Sequence, residues 1–236
     1  MNYLAIDAST EACSVALQVN TRLYSCYELC PQSHSLQLLP MVDKLLKEAG
    51  ITLSQCDGLI FGRGPGSFTG VRIGVGVAQG LAFAADLPVV GVSSLQAMAQ
   101  LAFIKYQQTN VFAAIDARMS EVYNGYFVLD ENNIMQAQVL ADQKGEAVTA
   151  PELVHQRLAN IVTMPTYGVG TGWDAYHEQL SPLKSNKGTP KVLFPNAEAM
   201  LVIGKAALER GEGVSAEDAQ PVYVRDTVSW KKLPGR

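Results

Sequence analysis

The 236-residue sequence predicts an α/β protein built from two similar halves, and three observations predict it. Apolar, β-leaning runs alternate with helical patterns after an opening hairpin, the alternation that marks an α/β fold. Leu4-Ala-Ile-Asp-Ala8 returns as Ala113-Ala-Ile-Asp-Ala117. Each copy leads into a polar turn and a second β-leaning run, so strand–Asp–turn–strand opens both halves and points to a duplication. The expected division places an N-terminal α/β domain at 1–108 and a less regular C-terminal one at 109–236. The last helix is expected to pack back across that boundary.

Taken in order, Tyr3–Asp7 and Ser14–Val19 form a hairpin through Ala8-Ser-Thr-Glu11, and Arg22–Leu29 makes a third strand. Ser35–Ala49 reads as a helix, with Leu36, Leu39, Val42 and Leu46 on one face and Leu38, Met41 and Leu45 beside it. That stripe is too wide for a helix with one buried side. Pro40 within it predicts a kink or a late start. A short strand, Leu59–Phe61, runs into a glycine–proline turn, which opens a helix with Gly74, Gly76 and Gly80 in its interior. Pro88–Val92 is the next strand. Ser93 and Gln96 have capping-box spacing for a helix to about Lys105. Val111–Ile115 and Glu121–Leu129 are strands of the second half. Thr149 and Glu152 predict a second capping box, with Pro151 in the first turn and a helix to about Asn160. The glycine-rich Tyr167–Trp173 and a loop at Ser185–Pro190 follow. Asn196 then caps a final helix to about Glu209, closed by Gly211.

Composition narrows the function. A chain 48% hydrophobic and 17% charged is an ordinary globular one. A net charge of −4 and a pI near 5.4 supply no overall basic field for nucleic acid. The one basic tail, Trp230–Arg236, reads as a solvated end. The thirteen residues from Ile73 to Ala85, bracketed by Arg72 and Asp86, are too few to span a bilayer. No basic region precedes the apolar run of Met1–Asp7, so no signal peptide is expected and a cytoplasmic protein follows. Cys13, Cys26, Cys30 and Cys56 show no Cys-x-x-Cys pair and no histidine at zinc spacing, so reduced, partly buried thiols are expected. His34, His155 and His177 lie far apart, which argues against a zinc hydrolase; no metal site is expected.

The segment Phe61–Gly80 carries the most information. Three interior glycines cost about 2–3 kcal/mol of intrinsic helix stability against alanine, so a close approach should offset them. Phosphate cradling is the weaker of two readings. Ser67-Phe-Thr-Gly-Val-Arg72 lacks the lysine of a P-loop, and Gly64 and Gly66 lack the third glycine and the following acid of a dinucleotide fingerprint. Close helix packing is favoured: Gly70, Gly74 and Ala78 form one small-residue row, and Gly76, Gly80 and Ala84 another.

Ile6-Asp-Ala-Ser-Thr10, Gly62-Arg-Gly-Pro-Gly-Ser-Phe-Thr-Gly-Val-Arg-Ile-Gly74 and Gly91-Val-Ser-Ser-Leu-Gln96 together resemble the TsaB (YeaZ) family. Pro221-Val-Tyr-Val-Arg225 is similar to that family's C-terminal signature, and the resemblance covers nearly the full length. It implies a two-domain actin/hexokinase/Hsp70-like fold, a ribonuclease H-like duplication. It also implies a non-catalytic subunit that binds and stabilises the related enzyme TsaD. TsaD transfers threonylcarbamoyl from its adenylate to the adenosine beside the anticodon of certain tRNAs, and the ATPase TsaE joins the complex. Transfer RNA is then met through the complex, and no membrane is involved.

An ATP-using enzyme of that superfold would use the turn after Asp7 for phosphate and magnesium, the turn after Asp116 for a second phosphate clamp, and Gly168-Val-Gly-Thr-Gly172 for adenosine. Asp7, Ser9, Asp116, Gly168 and Gly170 are therefore candidate remnants of a nucleotide site. Neither turn has a glycine for close phosphate approach, and Glu11 would repel a phosphate. TsaD-type enzymes carry a metal-binding histidine pair on a helix, whereas this chain offers His34 alone, read as an ordinary hydrogen-bonding residue. Asp7 and Asp116 can equally fix their turns through backbone N–H groups. No independent catalysis and no resident cofactor are expected, with ATP or ADP conceivable only where TsaD meets the chain.

The apolar helices then acquire a use. Leu36, Leu39, Met41 and Val42, with Gly70, Gly74 and Ala78, are expected to form a helical contact with a second copy or with TsaD, giving a homodimer in isolation. Two enzymes remain as rivals. A small-molecule kinase or ATPase would need a phosphate-contacting turn. A peptidase would need a triad, for which Ser9, Ser67 and His34 are the candidates. Direct tRNA contact would be local, through Arg63, Arg72 or Lys231-Lys232.

Overall fold

The computed structural model describes residues 1–158, 166–183 and 191–225. The basic tail, the loop at 185–190 and the end of the helix expected near residue 160 lie outside them. The first half holds strands β1 (Asn2–Asp7), β2 (Ala12–Val19) and β3 (Arg22–Leu29), helix α1 (His34–Ala49), strand β4 (Gly58–Gly64), helix α2 (Phe68–Ala85), strand β5 (Val89–Ser93) and helix α3 (Ser94–Tyr106). The second holds β6 (Asn110–Asp116), β7 (Val122–Leu129), β8 (Met135–Ala137), β9 (Glu146–Thr149), α4 (Val154–Leu158), β10 (Tyr167–Val169), α5 (Gly172–Ala175), α6 (His177–Leu180) and α7 (Ala197–Glu209).

The first sheet has the order β3-β2-β1-β4-β5, with an antiparallel meander of three strands followed by two parallel ones. The second repeats the scheme: β10-β6-β7-β8, with β6, β7 and β8 antiparallel, β10 parallel to β6, and β9 paired with β7. The two copies of Ala-Ile-Asp-Ala thus end equivalent strands, β1 and β6.

Strand period two divides the first sheet. Leu4, Ile6, Cys13, Val15 and Leu17 pack under α1 and α2, while Tyr3, Ala5, Ala16 and Ile60 pack under α7. The helices cross between halves. From the first half, α3 sets Leu95, Met98 and Ala102 on Val111, Ala113 and Phe127 of the second sheet. From the second half, α7 sets Met200, Leu201 and Ile203 on the first sheet, and a Cβ on its Gly204 would stand 2.5 Å from Ile60. A cut at 108/109 therefore separates both helices from the sheets they cover. Each large aliphatic side chain buried this way contributes about 1.5–3 kcal/mol.

Local differences from the sequence reading have physical causes. Helix α1 starts at His34 and runs through Pro40, which lies on its exposed side, where water can satisfy the unpaired Leu36 carbonyl. Ser93 Oγ accepts from Gln96 N–H, but the Gln96 amide reaches across to the Met135 carbonyl, so only half of that capping box forms. The box expected at Thr149 and Glu152 does not form. Thr149 stays in β9, its Oγ1 accepting from Asn124, and a short 3-10 turn at Pro151–Leu153 precedes α4. Helix α2 is 18 residues long at mean hydropathy 1.3, enough in length and composition to cross a membrane, contrary to the thirteen-residue estimate. Its inner face (Gly70, Val71, Gly74, Val75, Ala78, Ala82) is buried against its own sheet, as in a core helix of a globular protein.

Candidate functional site

Asp7 and Asp116 end the equivalent strands β1 and β6, and both are engaged internally. Asp7 is 1% exposed; its Oδ1 accepts from Ser9 N–H at 3.3 Å, and its Oδ2 has no hydrogen-bond partner among the described residues. Burial raises its carboxyl to about 6, against the lowering effect of the Ser9 bonds. Gly62 is what admits it, because a Cβ there would stand 1.9 Å from Asp7 Oδ1. Ser9 is buried and accepts from Ser94 Oγ at 2.8 Å.

The glycine turn is wrapped around this first hairpin rather than around open space. Ser67 N–H donates to the Ser9 carbonyl at 2.8 Å, and Gly70 N–H donates to Ser67 Oγ at 3.3 Å, so two amides that a phosphate would use are already bonded. A Cβ on Gly66 would meet the Ser9 oxygen at 2.0 Å, and one on Gly70 the Ala8 oxygen at 2.2 Å. The close approach that these glycines permit is to the chain's own backbone.

The second turn is closed by charge. Asp116 Oδ1 accepts from Arg118 N–H at 2.9 Å and from the Tyr176 hydroxyl at 3.2 Å, while Oδ2 takes the Arg118 guanidinium at 3.0 Å. The same guanidinium reaches Glu11 of the first turn at 3.8 Å. Arg118 thus bridges the two turns. Gly168 and Gly170 serve packing: a Cβ on Gly168 would be 2.6 Å from the Trp173 ring, and one on Gly170, at φ +97°, would be 2.2 Å from the Ala114 carbonyl oxygen.

The residues expected at a partner contact separate into two sets. Leu36 is 72% and Leu39 48% exposed, as a docking surface needs. Met41, Val42, Gly70, Gly74 and Ala78 are buried in the chain's own core, so that part of the expectation is corrected. The outward row is the other one. Nothing lies within 4 Å of a Cβ built on Gly76 or Gly80. With Ser35, Leu39, Arg72, Ile73, Val77 and Leu81 they line a groove of about 520 Å³ between α1 and α2, and Phe83 beside it is 84% exposed.

The C-terminal motif joins the two halves of the site. Val222 N–H donates to the Arg63 carbonyl at 2.9 Å, and Arg225 bonds Glu121 at 2.6 Å and the Ala117 carbonyl at 3.1 Å. Arg72 donates to the Tyr223 hydroxyl at 2.8 Å and lies over the Phe68 ring at 3.9 Å. Arg63 acts on Glu146 of the second half, where burial raises the carboxyl and a Ser93 hydrogen bond and the Arg63 charge oppose it. Neither arginine is therefore simply a free cation. The triad candidates each bond elsewhere: Ser9 pairs with Ser94, Ser67 caps α2, and the His34 ring bonds the Thr10 carbonyl at 2.6 Å. Sequence spacing carries no sign of one grouping, Cys13, Cys30 and His34, which the fold brings together from β2, the residue after β3 and the start of α1.

Two sheets of this repeated order, with a helix exchanged from each half to the other, define an actin/hexokinase/Hsp70-like α/β protein. Residues 28–232 match the family described as "TsaD: tRNA N6-adenosine threonylcarbamoyltransferase". The chain is 48% identical to the tRNA threonylcarbamoyladenosine biosynthesis protein TsaB of Escherichia coli over 100% of both chains. It is 44% identical to the Haemophilus influenzae protein of the same name, over 100% of this chain and 98% of that one. YeaZ from Pseudomonas aeruginosa superposes with a TM-score of 0.81 at 45% identity, covering 94% of this chain and 99% of that one. Another Pseudomonas aeruginosa structure, described as having similarity to peptidase YeaZ, gives the same TM-score and identity over 95% and 99%. The chain belongs to the TsaB (YeaZ) family.

Proposed function

We propose that the chain is a non-catalytic subunit in tRNA threonylcarbamoyladenosine formation, which binds and stabilises TsaD and to which TsaE is recruited. Family membership supports the pathway. The observation that carries the accessory role is the pairing of an occupied nucleotide position with an open apolar groove. Arg118 bridges Glu11 and Asp116 where phosphates would be held, while Leu36, Leu39, Gly76, Gly80 and Phe83 present an uncovered face between α1 and α2. An exposed apolar patch of this kind marks a protein contact. The same face serves a homodimer in isolation, in the cytoplasm, and gives way to TsaD in the complex. Transfer RNA is engaged through the complex, and no nucleotide is resident in the isolated chain.

The decisive experiment is tRNA modification with TsaD and TsaE present, with and without this chain. Leu36→Glu and Gly80→Glu should keep the monomer folded, lose sedimentation as a dimer, and lose co-purification with TsaD and the modification. Wild-type levels of modification with both variants would place the contact elsewhere. Threonylcarbamoyl transfer by the purified chain alone would overturn the non-catalytic reading, and micromolar ATP binding in calorimetry would favour a kinase or ATPase.

A further inference from the structure

Cys13 lies in β2, Cys30 follows the last residue of β3, and His34 is the first residue of α1. The β2–β3 ladder continues one step beyond Ala12 and Leu29, where Cys30 N–H donates to the Glu11 carbonyl at 3.1 Å. That register sets Cys13 diagonally across from Cys30, and the chain then needs only a short turn to bring His34 over both. Two sulfurs and a ring nitrogen, one atom from each residue, all lie within 4.8 Å of one another. The three residues are 0%, 7% and 8% exposed.

The spacing matches what one small cation would require. With zinc–sulfur bonds of about 2.3 Å, two thiolates on a tetrahedral ion stand roughly 3.8 Å apart. One nitrogen of the histidine ring is held by the backbone. Its Nε2 lies 2.6 Å from the Thr10 carbonyl; a carbonyl only accepts, so Nε2 donates there and Nδ1 is the nitrogen left for a metal. A backbone carbonyl holding one ring nitrogen is the usual support of a metal-bound imidazole. Thr10 is itself buried, and its Oγ1 has no hydrogen-bond partner among the described residues. The thiols are free, and burial together with the neighbouring sulfur raises Cys13 above its ordinary value.

We infer that Cys13, Cys30 and His34 form a binding site for a thiophilic d10 cation, zinc(II), with a water in the fourth position. On binding, each thiol releases its proton to solvent as its sulfur–metal bond forms, so two protons leave per ion and affinity rises with pH. The ion ties the β2–β3 end of the sheet to the first turn of α1, which carries Leu36 and leads into Leu39. The site is distinct from the nucleotide position, since Cys13 lies on the face of the sheet opposite Asp7.

The test is titration of the reduced, metal-free full chain with cobalt(II) and then zinc(II). One cobalt per chain, with near-ultraviolet sulfur-to-cobalt charge-transfer absorption that one equivalent of zinc removes, is the expected result. Two protons should be released per zinc. The Cys26→Ser/Cys56→Ser double variant should keep the spectrum, Cys13→Ser and Cys30→Ser should abolish it, and His34→Gln should weaken binding at least tenfold. No charge-transfer band in the wild-type chain overturns the site, as does a band that survives Cys13→Ser but not the double variant. If Cys13→Ser fails to fold, the double variant decides alone, because its remaining thiols are Cys13 and Cys30; no band there overturns the inference.

Discussion

The Ser67 amide donates to the Ser9 carbonyl at 2.8 Å, which ties the turn before α2 to the first hairpin. A Cβ on neighbouring Gly66 would stand 2.0 Å from that same carbonyl oxygen, and backbone cannot move aside as a flexible side chain can. Gly66→Ala should therefore cost about 2–4 kcal/mol, the range of strongly strained core substitutions. Denaturant unfolding measures it; a loss under 0.5 kcal/mol would show that the two loops are not locked together.

Gly76 and Gly80 should respond in the opposite sense. Both are helical and open, so alanine at either should stabilise the monomer by roughly 0.5–1 kcal/mol. At this chain length that corresponds to about 2–4 °C in Tm per kcal/mol. Sedimentation of the same variants should show weaker self-association, because a methyl group shallows the groove. A lowered monomer Tm would mean that the glycines serve a contact inside the chain.

Asp7 predicts an unusual pH response. Burial raises its folded-state value from 3.8 to about 6, so between these limits the native state binds more protons than the unfolded one. Its stabilising contribution is present below about pH 4 and is lost as pH rises through about 6. Asp7→Asn should thus be more stable than wild type at pH 7.5, by on the order of 2–3 kcal/mol, with the gap closing towards pH 4. Thermal melts across that range, wild type against variant, test it. A gap independent of pH would assign the effect to packing.

Arg157 is 4% exposed and holds Asp142 at 2.7 Å, the Lys144 carbonyl at 3.0 Å, and the Asn124 side chain. Burial raises the Asp142 carboxyl, but the Arg157 hydrogen bond and charge, with the Lys144 amide, hold it below its ordinary value. Its contribution has the sign opposite to that of Asp7: present above the unfolded value of 3.8 and lost as pH falls beneath it. Arg157→Leu should cost about 3 kcal/mol, because it leaves the buried Asn124 oxygen unbonded. Chemical unfolding of this variant and of Arg157→Leu/Asn124→Leu would separate the terms, the second change recovering part of the loss.

Arg118 should matter little to stability. Its side chain is 77% exposed, so Arg118→Ala should change stability by less than about 1 kcal/mol despite two ion-pair partners. Calorimetry with ATP and magnesium on this variant asks whether Arg118 alone blocks the nucleotide position. Binding that appears only in the variant would show that it does; none in either form would place the block in the turns themselves.

Much of the architecture was legible in the residues. The Ala-Ile-Asp-Ala echo announced two equivalent strands, and Asn196 and Gly211 marked the ends of α7 because capping chemistry is local. Thr149 shows the limit of such signals: its hydroxyl had a β-ladder neighbour, Asn124, to bond instead. The two small-residue rows on α2 were both visible, since helical period alone places them. Which row turned inward was not, because periodicity says which residues share a face and nothing about what that face meets. Only packing against Ala8 sent Gly70 and Gly74 into the core and left Gly76 and Gly80 outside. Likewise Cys13, Cys30 and His34 carry no ligand spacing, because a β-register and a helix start, rather than a short motif, bring them within 4.8 Å. The sequence by itself determined the duplicated α/β fold and the family. The tertiary structure decided that the glycine turn grips its own first hairpin, and that the second glycine row is the one left facing outward, since burial and close approach depend on residues distant in the chain.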